Sequence, residues 1–453
     1  MAVTPLKDWP NELLLSLLNL LPLTDLLPMS RVSKSIYALS LPLIYSTIET
    51  AWTVGPTPPV VLLLRSLVER PELSGHIRNL RLEGNGVPGR TELRELPAFP
   101  IDAPLLCKAS KIIKATKVPF VDLWIHDLQS GTVDAIVALL LALLPNLTSL
   151  FLGPNFTVRS RLWGGMFQCA LCTPPHNYKL PAYKNLRHVK SKFRAKEYYH
   201  TDICNAADVL PLFYLPSIDS LSVSIDNPAE FTWPASHAPA PSSMVSLDIY
   251  RLREPRLEPV LSVLEGLQRL HWHWLYQPDL DEEVSKGVVR LDTAAAALGQ
   301  VADTLTDLTI SAMTRPAYSL GDYDPPPLEI QASLDGLSRL WKLKRLSLPW
   351  AFLMGMGLSE SPTKRLLSAL PPSLEVLRLT ADLDDHDEWE WEEEDAVIDA
   401  TRLELAGLSS SRHPFLRRID LPIPFEHSEI TQDQKEELQI IGAGVGLELS
   451  WIQ

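Results

Sequence analysis

The sequence predicts an α/β chain in which a short all-helical segment precedes a long array of irregular strand-and-helix repeats built on a parallel sheet. Three observations carry that prediction. One apolar phrase recurs along most of the chain, helix-like segments separate its copies, and a leucine-dense stretch near the start is broken at prolines.

The recurring phrase puts apolar residues at relative positions 0, 3 and 5, and its copies start at Ile77, Phe120, Leu147, Leu186, Ile218, Met244, Leu267, Leu305, Leu343, Leu374 and Leu416. Its form, LxxLxL, is similar to the strand signature of leucine-rich repeats. The starts lie 23 to 43 residues apart, mostly beyond the usual spacing of about 20–29 residues, so insertions are expected. The copy at Leu186 is weak because Ser191 takes the last apolar place. Helix-like patterns fill gaps at 60–70, 133–144, 257–265, 294–305, 328–340 and 364–370. A strand and a helix per unit predict a curved solenoid whose parallel sheet lines the concave side. A single α/β domain whose buried strands merely look alike is the alternative.

Strand side chains alternate between faces. The positions between the apolar ones therefore point to the concave face, and the candidate target-binding residues there are Trp124, His126, Phe151, Tyr250, Arg269, His271 and His273. Aromatics beside Arg and His have the composition of a protein-binding hot spot. Inserted loops that cover this face are the competing reading.

Residues 5–46 form the N-terminal module, 47–57 a strand-like exit and Pro-rich linker, and 58–453 the repeat domain. Pro10 suits a first helical turn, and Glu12 complements the positive end of the helix dipole. Leucines at 13, 14, 15, 17, 18, 20 and 21 then make more than one face apolar. One face can pack on the module and another is left over. Thr24 is expected to cap a second helix, with Asp25 in its first turn. Val32, Ile36 and Leu39 mark one stripe of a third helix ending near Pro42.

Read as a series from Trp9-Pro10-Asn11-Glu12-Leu13-Leu14 through Leu17, Leu21, Asp25-Leu26-Leu27 and Val32-Ser33-Lys34 to Pro42 and Tyr45, this module resembles the F-box. The resemblance implies a three-helix unit docking on a Skp1-type adaptor and, through it, on a cullin-based ubiquitin ligase. It implies adaptor-binding roles for Trp9, Pro10, Leu13, Leu17, Leu21, Leu26, Leu27, Val32 and Ile36. Trp9 stands where the family usually has leucine, and Ile36 where many members have tryptophan. A helical hairpin packed on the following domain is the plainer alternative. The function expected is a non-catalytic, substrate-recognition subunit that holds an unidentified target protein, or else a leucine-rich scaffold with no ligase role.

Composition narrows the partners. The net charge of −14 argues against nucleic acid, because phosphate neutralisation needs surplus Lys and Arg. Ten acids sit in one run, Asp382 to Asp395, read as a solvated loop with a basic-partner or ion site as the sharper option. Proline, at 39 of 453 residues, exceeds its usual share of about 5% and predicts many stiff turns. Four cysteines in so long a chain give no disulfide framework, so a reducing compartment, cytoplasm or nucleus, is expected. The longest apolar run, 135–144, is half of the roughly 20 residues a membrane helix needs. Asp8, Asn11, Glu12 and Asn19 argue against a signal peptide.

Two chemical motifs remain. Cys169-x-x-Cys172 with His176, His200 and Cys204 would suffice for zinc, but one C-x-x-C without a matching pair is weak, and half-buried cysteines are the simpler reading, so no metal is assigned. The glycines at 442, 444 and 446 sit in the wrong spacing for a dinucleotide fingerprint. No cofactor and no catalytic set are expected.

Overall fold

A computed structural model of the chain describes residues 9–51, 58–84, 98–157, 160–174, 177–191, 206–280, 283–317, 321, 324–358, 369–391, 394–406, 413–423 and 431–452. The chain is α/β. Among the described residues, four strands form parallel sheet in one compact unit and eight in another, where a further two strands pair in a parallel ribbon. The first unit comprises residues 1–197 and 210–218, the second 198–209 and 219–453.

The first unit begins with three short helices, α1 (Asn11–Leu18), α2 (Leu23–Ser30) and α3 (Lys34–Ile44). Each starts at a residue with extended backbone. The second helix is capped by Pro22, which leaves Thr24 inside it and corrects the expected cap. Ser33 caps the third by accepting the Ile36 backbone N–H at 3.1 Å. That helix tolerates Pro42 and runs on to Ile44. Leu18, Leu26 and Ile36 form a small core, with Leu21, Met29, Leu39, Leu43 and Ile44 packed around it.

Strand β1 (Thr47–Ala51) follows directly, where the strand-like exit was expected; residues 52–57 lie outside the described part. After it come α4 (Pro59–Glu69), β2 (Asn79–Glu83), α5 (Ala103–Thr116), α6 (Val121–Gln129), α7 (Val133–Leu143), β3 (Ser149–Leu152), α8 (Arg161–Leu171) and β4 (His188–Ser191). The strands lie in the order β1-β2-β3-β4, joined by helical connections as parallel pairing demands. Ile48, Leu80, Leu150 and Val189 stand in one row across them.

The phrase at Phe120 is the exception. Phe120, Trp124 and Leu128 repeat every four residues, and this segment is helix α6 rather than a strand. Lys117, in left-handed conformation, ends α5 just before it, and Asp122 sits in the first turn of α6. Trp124 is fully buried and its Nε1 donates to the Ala135 carbonyl at 3.0 Å. Gly131, at φ 72°, turns the chain into α7, where a Cβ would strike the Phe99 backbone.

The second unit holds α9 (Ala206–Val209), β5 (Ser220–Ser224), β6 (Ser246–Tyr250), α10 (Glu254–Leu261), β7 (Arg269–Tyr276), β8 (Val288–Arg290) and α11 (Leu291–Leu298). It continues with β9 (Asp307–Thr314), β10 (Glu329–Gln331), β11 (Arg345–Pro349), α12 (Trp350–Met354), β12 (Val376–Thr380), α13 (Glu394–Ala406), β13 (Arg418–Pro422), α14 (Gln432–Val445) and β14 (Glu448–Ile452). The main strands run parallel in the order β5-β6-β7-β9-β11-β12-β13-β14, and β8 pairs with β10 in a separate ribbon. The middle apolar residue of each phrase falls in one register row: Leu221, Leu247, Leu270, Leu308, Leu346, Leu377 and Ile419, closed by Leu449. All are nearly inaccessible to solvent.

The helix expected over 328–340 is instead β10 and a 3-10 turn, Asp335–Arg339. Ala332 takes a positive φ between them, and a Cβ on Gly336 would meet that of Ala295 at 2.9 Å. Most of the helix expected over 364–370 lies outside the described residues. The glycines at 442, 444 and 446 fall within and at the end of α14, not between a strand and a following helix. Among the described residues, no single helix is long and apolar enough to cross a membrane.

Candidate functional site

Two surfaces emerge, one in each unit. On the N-terminal module, Leu14 and Leu18 of α1 turn inward, while Leu13 and the half-buried Leu17 on its other side, with Leu20 in the turn just past its end, make an outer apolar stripe. Leu13 is 55% exposed, Leu20 81% and Val32 63%. Leu23 and Leu27 add a second outward pair on α2, and Trp9 is exposed at the entrance to α1. Pro10 is also exposed.

Of the nine residues assigned to adaptor binding, Leu26 and Ile36 are therefore corrected. Both lie in the module's own core, because a forty-residue unit must use part of its leucine to hold itself together. Leu17 is half-buried, and Leu21 packs against that core. Leu20 and Leu23 are the exposed residues missed at the sequence level. Their signal was the i, i+3, i+4 spacing from Leu13 and Leu17 and the pairing of Leu23 with Leu27.

The second surface is the open face of the sheet around β6 and β7. Asp248 and Tyr250 on β6 stand in register with His271 and His273 on β7, all four pointing away from the buried leucine row. Tyr250 stacks on His273, ring centroids 3.8 Å apart and ring planes nearly parallel. The His271 and His273 rings are 3.6 Å apart. His273 Nε2 lies 2.9 Å from Asp248 Oδ1, and its Nδ1 lies 2.7 Å from Ser311 Oγ on β9. The Ser222 hydroxyl donates to Asp248 Oδ2 at 2.9 Å.

Burial pushes the Asp248 carboxyl up, but the hydrogen bond and charge of His273 and the Ser222 hydroxyl outweigh it. The group stays below its ordinary value and is ionised at neutral pH. Burial, with the Asp248 charge, pushes the Tyr250 phenol up to about 12. Asp382 accepts the Ala312 backbone N–H at 2.7 Å and lies near enough for His273 to act on it, though burial holds its carboxyl above the ordinary value.

The other residues assigned to target binding are dispersed. Trp124 is corrected from surface to core, and His126, on α6, is exposed on a helix rather than on the sheet face. Phe151 does lie on the open face of β3, with the Arg81 guanidinium 4.0 Å over its ring. Arg269 is exposed at the start of β7.

Within the described part, the acidic run is the expected irregular segment between β12 and α13 with exposed acids, but it is anchored by buried side chains rather than freely solvated. Leu383, His386, Trp389 and Trp391 are buried, while Asp385, Asp387, Glu388 and Glu390 face out. Trp391 meets Trp350 edge-on at 5.2 Å and donates to the Gly355 carbonyl at 3.1 Å. His386 Nε2 lies 2.8 Å from Thr314 Oγ1. Leu383, His386 and Trp389 anchor the run at every third residue and Trp391 two further on, a pattern hidden beneath its charge.

Cys169 is buried in α8 and Cys172 half-buried at its end. Burial raises the Cys169 thiol to about 11; burial and the neighbouring Cys169 raise Cys172 to about 12. Both are protonated at neutral pH. His176, His200 and Cys204 lie outside the described residues.

No family model matches the chain, and none of the curated proteins matches it.

Proposed function

We propose that the chain is the substrate-recognition subunit of a ubiquitin ligase of the Skp1–cullin–F-box class, with the module at 5–46 as an F-box and the repeats as an irregular leucine-rich-repeat solenoid. The observation that carries the reading is the module's division of its leucines. One set closes a small core, and Leu13, Leu20, Leu23, Leu27 and Val32 stay in water. Burying one such side chain against a partner contributes roughly 1.5–3 kcal/mol, so a partner of matching apolar shape is the natural complement. The parallel order of the strands and their single leucine rows support the repeat reading.

In this account the chain performs no bond chemistry. The module would tether it to an adaptor and a cullin, and the open sheet face would hold a target protein whose lysines gain effective concentration near the charged conjugating enzyme. Work in the cytoplasm or nucleus fits that role.

The test uses exposed positions, so that loss of binding is not loss of folding. Leu13→Ala with Leu27→Ala should weaken binding to a purified Skp1-type adaptor at least tenfold, with the far-ultraviolet circular dichroism unchanged. Adaptor affinity equal to that of the parent chain would refute the proposal. Adaptor binding without cullin recruitment would instead favour a scaffold with no ligase role.

A further inference from the structure

We propose that Asp248, His271 and His273 bind one divalent transition-metal ion of the zinc type on the open face of the second unit's sheet. The inference is independent of the ligase reading.

The strand geometry brings the three together. His271 and His273 are two residues apart on β7, so both side chains leave the same face, and Asp248 is the register partner of His271 on β6. The ligand atoms of all three lie within 4.8 Å of one another. Zinc bonds to imidazole nitrogen and carboxylate oxygen measure about 2.0–2.2 Å, so two atoms sharing an ion stand no more than about 4.4 Å apart. His273 Nε2 and His271 Nδ1 lie 2.9 and 3.9 Å from Asp248 Oδ1, inside that limit. Two imidazoles and a carboxylate suit zinc and its neighbours better than magnesium or calcium, which prefer oxygen alone.

The surroundings supply what such ligands need. Ser311 Oγ is 2.7 Å from His273 Nδ1. With the proton on Nδ1 and donated to that oxygen, Nε2 presents its lone pair toward Asp248. The Ser222 hydroxyl fixes the other Asp248 oxygen, and the Tyr250 ring, stacked on His273, restricts the imidazole to one plane. Fixing ring orientation and tautomer through a second hydrogen bond is how proteins hold metal-ligating histidines. Three protein ligands leave a fourth position for water.

In the free site the His273 Nε2–H faces Asp248; on binding, a neutral imidazole takes the Nδ1–H tautomer, donating to Ser311, and the cation occupies the vacated Nε2 position. Where His273 enters as an imidazolium, its Nε2 proton goes to solvent.

The probe is Zn²⁺ itself, titrated into the full chain against a chromogenic chelator, with Co²⁺ as a spectroscopic substitute. One saturable site is expected, lacking the thiolate charge-transfer bands that a cysteine site would give. His271→Ala with His273→Ala should weaken it by about 100-fold or more, and Ser311→Ala, which removes only the positioning hydroxyl, by about tenfold. Cys169→Ser with Cys172→Ser should leave it unchanged. The absence of saturable binding to the parent chain would overturn the proposal. So would binding that survives the double histidine variant or disappears with the cysteines. Should the histidine variant misfold, the serine variant and the cobalt spectrum decide the matter.

Discussion

Trp124 illustrates how a single residue's surroundings override a sequence phrase. Phe120-x-x-Leu123-x-Ile125 satisfies the strand pattern, yet the same stretch satisfies a four-residue spacing, and the buried indole hydrogen-bonded to Ala135 belongs to the helix. Trp124→Ala should therefore destabilise the first unit by about 3–5 kcal/mol, the usual cost of emptying a large aromatic site. A thermal unfolding midpoint unchanged from the parent would contradict that placement.

Asp420 makes a pH-dependent counterpart in the second unit. Burial raises its carboxyl, but Ser450, Arg418 and Arg378, at 2.5, 2.6 and 3.4 Å, hold it below the ordinary value. A carboxyl whose folded pKa is depressed contributes stability above its unfolded pKa of about 3.9 and loses it as pH falls through the folded value. The gap in melting temperature between the parent and Asp420→Asn should thus be widest near neutrality and shrink in acid. A gap of constant size would show that the carboxylate's charge is not what counts.

At the level of elements, the apolar positions made the strands legible and the gaps less so. Leu247, Leu270, Leu308 and Leu346 form the row that their spacing implied, because a parallel sheet covered on one side leaves little choice of register. Strand β14 was hidden because Gly446 occupies the first apolar place; β1 departs from the phrase at Thr50 yet was legible as a strand-like exit from the module. The β8–β10 ribbon carries no such phrase. In the N-terminal module the sequence told of excess leucine but not which residues were spent inside. That division depends on how three helices pack, a question of tertiary contact. Leu18→Ala should remove the protection of amides across 11–44 from hydrogen exchange while β11 and β12 keep theirs, whereas Leu13→Ala should change neither. Equal effects of the two would mean that the inner and outer stripes are misassigned.

For the whole molecule, the central claim is that one chain carries two ends, an adaptor-binding module and a repeat surface. The charge, the scarcity of cysteine and the repeat phrase were all readable from composition and spacing. The Asp248–His273 cluster was readable only as exposed histidines, since its meaning rests on β6 and β7 being neighbours in register. The most direct measurement is coexpression of the full chain with a Skp1-type adaptor and a cullin, followed by size-exclusion chromatography. The account predicts a single stoichiometric complex of all three, dissolved by Leu13→Ala with Leu27→Ala while the chain itself stays folded. A chain that elutes alone, apart from a correctly assembled adaptor and cullin, would contradict it.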